Sequence, residues 1–369
     1  MPSRPQLPLH VDPLANLPLF AQLRQQIAWL IASGQLEPGD RLPTIRALGD
    51  RLGVHMHTIR QTYRRLQQDG LVETRPGKGT TVLPFDFENL RGQNPLSPSH
   101  AIGVLMPSMD PFYVPFLDGL EELARVASYL LTVSFTRDKI ALSRLLMQQL
   151  IAKNVDGLIV VSPVGDVLGR NTPSALPPVV YVDAPQAGSN VVLLDLENSG
   201  FQATRHLIQH GHSRIGIITA PLAWPNFRES YRGYLRALKT ADLEPDPGLV
   251  VESPEFEIEG GYQAAIRMLG LHRPPTALFV SGDLLAVGVV RAMKDSGKRV
   301  PQDMAIVSKD NIQFAALIDP PLSTVASPAY EMGVEAMRML SRLIAGKPLE
   351  KKRVVLGTEL IARRSCGCS

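Results

Sequence analysis

Two sets of residues in this chain have types and spacings that could do covalent or metal chemistry, and neither completes a site. His206 and His210 stand four apart, with His212 close behind, so a helix would turn two imidazoles to one face as a metal site requires. A zinc protease needs a glutamate directly after the first histidine, and Leu207 stands there. Cys366 and Cys368 fall in the last four residues with no further ligand near them in sequence. They read as a reduced tail, and the histidines as a helix end leading into a strand. The run Pro76-Gly77-Lys78-Gly79-Thr80 brushes against a phosphate-binding loop, but glycine follows the lysine and the upstream spacing fails. The sequence carries no Gly-x-Ser-x-Gly elbow, and no residue pattern in it marks an activated nucleophile. The expectation is a protein that is not an enzyme, with no metal and no cofactor.

A third set is electrostatic. Residues 41–80 hold eight lysines and arginines against three acids, a net +5, while the whole chain carries +3, so the remainder sums to −2. A basic segment on a mildly acidic body is the footprint of a part that meets phosphate. The elements that would position it are legible. Leu19, Phe20, Leu23, Ile27, Leu30 and Ile31 recur at helical spacing up to Gly34. Thr44 is placed to cap a short helix that Gly53 closes, and a second helix is predicted from His55 to Gln68, with Ile59, Tyr63 and Leu66 inward. Two short helices joined by a tight turn make a helix-turn-helix. Residues 71–83 then read as a hairpin with a basic, glycine-rich tip, a wing. The second helix is slim enough for the major groove, where the base code is unambiguous. Lys78 at the wing tip suits a phosphate. Arg64, nearer the end of the helix, suits phosphate better than a base.

The chain has 369 residues, 44% of them hydrophobic and 20% charged, room for two or three domains with cores of their own. No apolar run reaches membrane-spanning length, and the N-terminus lacks the layout of a secretory signal, so a cytoplasmic location is expected. Residues 84–100, with Gly92, Asn94, Pro95 and Pro98, read as a linker. Beyond it, apolar runs at 101–106, 130–135, 158–162, 179–182, 214–219, 249–251, 277–280 and 304–307 read as buried parallel strands. Helical stretches such as 117–128, 140–152, 200–209 and 286–295 alternate with them. That is an α/β architecture too large for one sheet, hence two lobes with a ligand cleft at the carboxyl ends of the strands.

At this point the residues resemble two families. Leu42-Pro43-Thr44-Ile45-Arg46-Ala47-Leu48, Leu52-Gly53-Val54, Thr58-Ile59-Arg60, Asp69-Gly70-Leu71-Val72 and Gly77-Lys78-Gly79-Thr80 are similar to the GntR-type winged-helix domain over residues 15–83. The resemblance implies that Thr44, Arg46, His55, His57, Thr58 and Arg60 face DNA and that Gly77 and Gly79 form the wing tip. Met56 stands where family members often carry arginine, so the operator is expected to differ from the family's usual one.

Residues 101–365 resemble the effector domain of LacI/GalR-type regulators, itself similar to periplasmic sugar-binding proteins. The resemblance rests on Ile102-Gly103-Val104, Asp156-Gly157-Leu158-Ile159, Asp195-Leu196-Glu197-Asn198-Ser199-Gly200, Gly211-His212-Ser213-Arg214-Ile215-Gly216, Arg232-Gly233-Tyr234 and Asp319-Pro320-Pro321-Leu322-Ser323-Thr324-Val325. It implies ligand contacts at Phe112, Tyr113, Phe256, Asp283 and Asp310, with Asp183 at a strand end as a further candidate. Two positions depart from the pattern. Ser230 replaces a usual arginine, making Arg228 the nearest substitute, and Gly282 replaces a usual asparagine.

The reading is a ligand-responsive transcription regulator, a repressor. It binds double-stranded operator DNA as a homodimer and senses a small polar metabolite such as a sugar. The alternative is a ligand-binding protein of the periplasmic class without a regulatory role.

Overall fold

The computed structural model describes residues 7–13, 17–32, 34–84, 99–162, 177–188 and 190–368. Leu23, Ile27 and Leu30 lie on one face of α1 (Leu19–Ala32) and are buried with Leu48 of α2 (Ile45–Leu52) and with Ile59 and Leu66 of α3 (Met56–Gln68). Thr44 starts α2 by accepting a hydrogen bond from the Ala47 amide at 3.2 Å. Gly53 ends it with a φ of 65°, the left-handed conformation that glycine takes without strain. His55 is the cap of α3 rather than its first residue: its Nδ1 accepts from the His57 amide at 3.2 Å. Tyr63 Oη donates to the Pro43 carbonyl at 2.7 Å, and Arg24 of α1 reaches the buried Asp69 at 2.6 Å, so both flanks of α3 are pinned. β1 (Val72–Arg75) and β2 (Gly79–Val82) pair antiparallel from Val72↔Val82 to Arg75↔Gly79. The tip between them turns on Gly77 and Gly79, with φ of 74° and 89°. The helix-turn-helix and wing thus form as the sequence predicts. Of the linker at 84–100, only Pro84, Ser99 and His100 fall among the described residues.

The remaining strands form two six-stranded sheets. In one the order is β13 (Arg353–Leu356), β7 (Val191–Leu194), β6 (Val179–Val182), β5 (Gly157–Val161), β3 (Ala101–Met106) and β4 (Leu130–Phe135). In the other it is β14 (Glu359–Ile361), β12 (Ser323–Ala326), β11 (Ala305–Asp310), β10 (Ala277–Val280), β8 (Ile215–Thr219) and β9 (Val250–Glu252). The described pairs of these sheets are parallel except β12 with β14. Helices α4 (Tyr113–Val126), α5 (Ile140–Ala152), α6 (Leu196–Gln209), α7 (Pro225–Thr240), α8 (Ile258–Leu269), α9 (Asp283–Asp295) and α10 (Ala329–Ile344) lie between strands in sequence.

The second sheet shows why continuous apolar runs were needed. Ile217, Phe279 and Val307 point to a core shared with Leu207 of α6 and Tyr234 of α7, while Ile218, Leu278 and Ile306 point to one shared with Ala264 of α8 and Val289 of α9. A strand covered by helices on both faces has no polar face to show.

Three helix pairs approach so closely that only glycine fits at the crossing. A Cβ on Gly200 of α6 would overlap the Ser230 carbonyl, and one on Gly233 of α7 would overlap the Glu197 carbonyl. Gly261 and Gly288 do the same for α8 with α9, and Gly119 and Gly333 for α4 with α10.

The described residues group into two compact units. One contains the winged helix, most of β3, β4 and α5; the other contains α4, the second sheet with its helices, β7 and β13. Within the first, α1 packs on α5, Ala152 joins the winged-helix core, and the Lys153 ammonium stands 5.3 Å from the Trp29 ring centroid.

Candidate effector site and nucleic-acid interface

The candidate effector site lies at strand ends within the second unit. Asp310 closes β11, where Lys309 donates to its carboxylate at 3.1 Å with both side chains only 8% exposed. A buried charge survives only when paired, so this couple is a fixed polar anchor in an apolar strand. The Lys309 ammonium also stands 5.2 Å from the centroid of the Phe227 ring. That ring is 5.2 Å from Phe256 and 5.9 Å from Trp224, an aromatic wall. Gly282, with φ of 155°, is required here because a Cβ would run into the Phe256 ring. The asparagine usual at that position has no room, so this departure is a consequence of the wall.

Around the anchor lie further carboxyls. Burial pushes Asp110 up to about 6, with Asp310 adding to the rise, although its carboxylate accepts from the Phe112 amide at 2.8 Å and Lys309 opposes the shift. Asp183 ends β6 in the left-handed region with φ of 56°. Its carboxyl is pushed up to about 6 by burial, with Lys309 lowering it and Asp310 raising it, and its carbonyl accepts from Asn226 Nδ2 at 3.1 Å. Several acids around one ammonium cannot all stay ionised, so the site offers both carboxylate acceptors and carboxyl donors. The hydroxyls of Thr219 and Ser281, at the ends of the paired strands β8 and β10, are buried without a hydrogen-bond partner among the described residues.

The other predicted ligand residues are placed differently. Tyr113 is buried and packs edge-on to Phe116, 6.1 Å away, while Phe112 remains half-buried beside it. Asp283 does not face the site. It is fully buried at the start of α9, where its carboxylate accepts from Ser308 Oγ, from Thr324 Oγ1 at 2.8 Å and from the Ile312 amide at 2.8 Å. Burial, aided by Asp310, raises it to about 7, and its work is to splice β11, β12 and α9 together. Arg228 is exposed on the first turn of α7, because the helical advance of 100° per residue turns Asn226, Phe227 and Ser230 inward and Arg228 outward. Sequence reasoning missed Asp110, Asn226, Phe227 and Lys309. Only Lys309 carried a signal, a cation beside an acid at the end of an apolar strand.

On the winged helix, Arg46, His55, His57, Arg60 and Arg64 are exposed on α2 and α3 or at their caps, and Gly77, Lys78 and Gly79 are exposed at the wing tip. Thr58 is half-buried, and Thr44 is exposed but spends its hydroxyl on the α2 cap. Arg46 has only a loose ion pair, 3.9 Å from Asp50 with both side chains largely exposed. Arg60, Arg64 and Lys78 have no ion pair among the described residues.

One further cluster contradicts the reading of the C-terminus as an inert tail. Cys366 is buried, and Cys368 Sγ lies 3.3 Å from His210 Nε2 and 3.5 Å from His206 Nε2. Folding supplies neighbours that the sequence kept more than 150 residues apart.

Comparison with known proteins agrees with this geometry. The family described as bacterial regulatory proteins, gntR family, matches residues 19–82, and the periplasmic binding protein-like domain matches residues 204–366. The chain is 31% identical over 278 residues to the HTH-type transcriptional repressor CytR of Escherichia coli, covering 72% of this chain and 79% of that protein. Among solved structures, a LacI family transcriptional regulator from Enterococcus faecium with bound ribose superposes with a TM-score of 0.65 at 27% identity, covering 72% of this chain and 98% of that one. The transcriptional regulator CelR in complex with cellobiose does so with a TM-score of 0.66 at 25% identity, covering 88% and 100%. A ligand-binding protein without a regulatory role does not fit a chain that carries a complete winged helix and whose relatives are repressors. The chain belongs to the LacI-type transcription regulators, DNA-binding proteins that are not enzymes, with a GntR-type winged helix at its N-terminal end.

Proposed function

We propose that this regulator is a homodimeric repressor whose effector is a neutral, polyhydroxylated metabolite, a sugar or a close relative, bound at Asp310. The observation that carries the effector class is the anchor itself: a buried Lys309–Asp310 pair among acids, walled by Phe227 and Phe256. Adjacent hydroxyls suit carboxylates that accept two hydrogen bonds, while an apolar sugar face suits the rings. An anion would meet uncompensated acids. Phe112, Asp110 and Asp183 complete the contact set. Relatives in this family are seen with ribose and cellobiose bound, which supports the same class.

On the DNA side, α3 enters the major groove with Arg60, His57 and Thr58 toward bases. Arg46, Arg64 and Lys78 take phosphates, and His55 and Thr44 hold the helix ends. A homodimer places two such helices on half-sites about 34 Å apart. Phe314 and Leu317, 50% and 76% exposed on the turn after β11, supply apolar surface of the kind a partner subunit covers. The effector acts only by favouring one arrangement of the effector domain over another. The protein works in the cytoplasm, where operator and metabolite meet.

The test is a thermal-shift screen of pentoses, hexoses, disaccharides and nucleosides, followed by operator titration with the compound found. A neutral polyol raises the melting temperature and changes operator affinity. Asp310→Ala abolishes both responses while leaving operator binding without effector unchanged. A full response in Asp310→Ala, or a response only to anionic compounds, overturns the assignment.

A further inference from the structure

The cluster at the C-terminus has the composition and spacing of a metal site. Nε2 of His206, Nε2 of His210 and Sγ of Cys368 all lie within 4.8 Å of one another, and the two sulfur–nitrogen separations are 3.5 and 3.3 Å. Zinc bonds of about 2.3 Å to sulfur and 2.0–2.1 Å to nitrogen, at tetrahedral angles, put those ligand atoms about 3.6 Å apart. The thiol therefore already stands from each imidazole at about the separation of two ligands on one zinc ion. Cys366, buried two residues earlier, donates its thiol to the Arg363 carbonyl at 3.3 Å, a weak bond that a metal–thiolate bond would replace, and it is the candidate for the fourth ligand. We propose that this chain binds one zinc ion through His206, His210, Cys366 and Cys368.

The surrounding structure explains why the ligands meet. His206 and His210 lie one turn apart at the end of α6, the spacing that brings their rings to 4.5 Å between centroids, tilted by 56°. The other half of the site is brought in by a tail fixed upstream. Arg363 donates to the Leu322 carbonyl at 2.6 Å and to Asn311 Oδ1 at 2.7 Å. Ser365 Oγ donates to the Ile306 carbonyl and accepts from the Ser323 amide, at 2.7 and 2.8 Å. The tail is thus laid along β11 and β12 before it reaches the cysteines. Gly367, with φ of 93°, then turns the chain, and the Cys368 thiol meets His206 and His210 at the end of α6. Supports of this kind hold first ligands in geometry at a metal centre. His212 is excluded, its Nδ1 lying 2.9 Å from Thr276 Oγ1.

Two thiolates and two neutral imidazoles match the preference of zinc for sulfur and nitrogen donors, and their charges cancel that of the ion. Binding releases the two thiol protons to solvent, so affinity rises with pH. A closed four-ligand site leaves no open position, so the ion is structural and clamps the tail to α6.

The experiment uses the full-length protein, reduced, stripped of metal and dialysed against zinc or cobalt. One zinc per chain by elemental analysis, together with the intense visible bands of tetrahedral cobalt and thiolate-to-cobalt charge transfer, is the expected result. His210→Ala and Cys368→Ser should each bring the stoichiometry from one to none while keeping the circular dichroism spectrum and operator binding. His210 is exposed, so its removal leaves the fold intact. Retention of stoichiometric zinc by both variants, or its absence from the fully reduced wild type, overturns the proposal. A Cys366–Cys368 disulfide that survives the reduction and excludes metal does so as well.

Discussion

Replacing Lys78 by alanine probes the wing without touching the recognition helix. Lys78 is exposed between Gly77 and Gly79 and has no ion pair among the described residues, so its charge is available to one phosphate. The other cations assigned to phosphate are Arg64 and Arg46, the latter with only its loose pair to Asp50. Each neutralised phosphate contributes about 0.9 to the fall of log affinity with log salt. With Arg46, Arg64 and Lys78 of each protomer on phosphate, a homodimer has a slope of about −5, and K78A, which removes two contacts at once, flattens it by about 1.8. The assay is fluorescence anisotropy of labelled operator over a salt series from about 50 to 200 mM, beside a scrambled duplex of equal length. K78A should weaken binding to both duplexes alike. Arg60→Ala should cost about 1–3 kcal/mol per lost base contact on the operator and far less on the scrambled duplex. An unchanged slope in K78A refutes the wing contact, and a change of only about 0.9 refutes the homodimer on DNA.

Three further outcomes follow from the described geometry. The Asp183 carboxyl, pushed by burial from 3.8 to about 6, binds its proton more tightly in the folded state than in the unfolded one. Its contribution to stability is complete below about pH 4 and lost as pH rises to about 6, at most about 3 kcal/mol. Thermal melts should therefore show the wild type losing stability across that window relative to Asp183→Asn, and parallel profiles would count against the buried placement. Gly233→Ala puts a methyl carbon 2.6 Å from the Phe201 nitrogen and into the Glu197 carbonyl. Overpacking of about 1–3 kcal/mol then exceeds the gain in helix propensity of about 1 kcal/mol, so the urea midpoint should fall, and a raised midpoint would contradict the close approach. Asp283→Ala strands the Ile312 amide and two hydroxyl donors, a loss of about 3 kcal/mol by the cost of unpaired buried groups, whereas Asp283→Asn, which keeps an acceptor, should lose less. Equal losses in the two variants by urea denaturation would contradict that account.

Much of the fold was legible because its signals are local. β3, β4, β6, β10 and α5 have the bounds their apolar runs predict, and Thr44 and Gly53 delimit α2 as their chemistry requires. Helix starts were less legible. α4, α6 and α9 begin at Tyr113, Leu196 and Asp283, three or four residues before the predicted positions. First turns lie at strand ends, where polar side chains serve caps or the site, so the apolar period is not yet established. Aromatic and acidic candidates for the effector site were visible one by one, but which of them face it was not. Arg228 and Asn226 differ by two residues on one helix turn, and only the phase of α7 decides which is buried. The Cys–His cluster was invisible for a different reason. Its halves are distant in sequence, and they meet only because β14 returns antiparallel to β12 and lays the tail beside α6.

The glycine crossings limit where this regulator can bend. With two backbones in contact, neither α6 and α7, nor α8 and α9, nor α4 and α10 can slide or roll past its mate without collision. Each pair travels as one body. The freedom that remains lies in the segments that carry the chain from one sheet to the other: at Asp195 after β7, at Ser327–Pro328 before α10 and at Gly357–Thr358 between β13 and β14. Two of these are already joined, the Asp195 amide donating to the Leu356 carbonyl at 2.9 Å. A small set of backbone torsions is thus the mechanical bottleneck through which a bound metabolite must act. Substitutions that lock the regulator on or off its operator should collect there, while the helices they connect tolerate change only on their solvent faces, away from the glycine seam and the core.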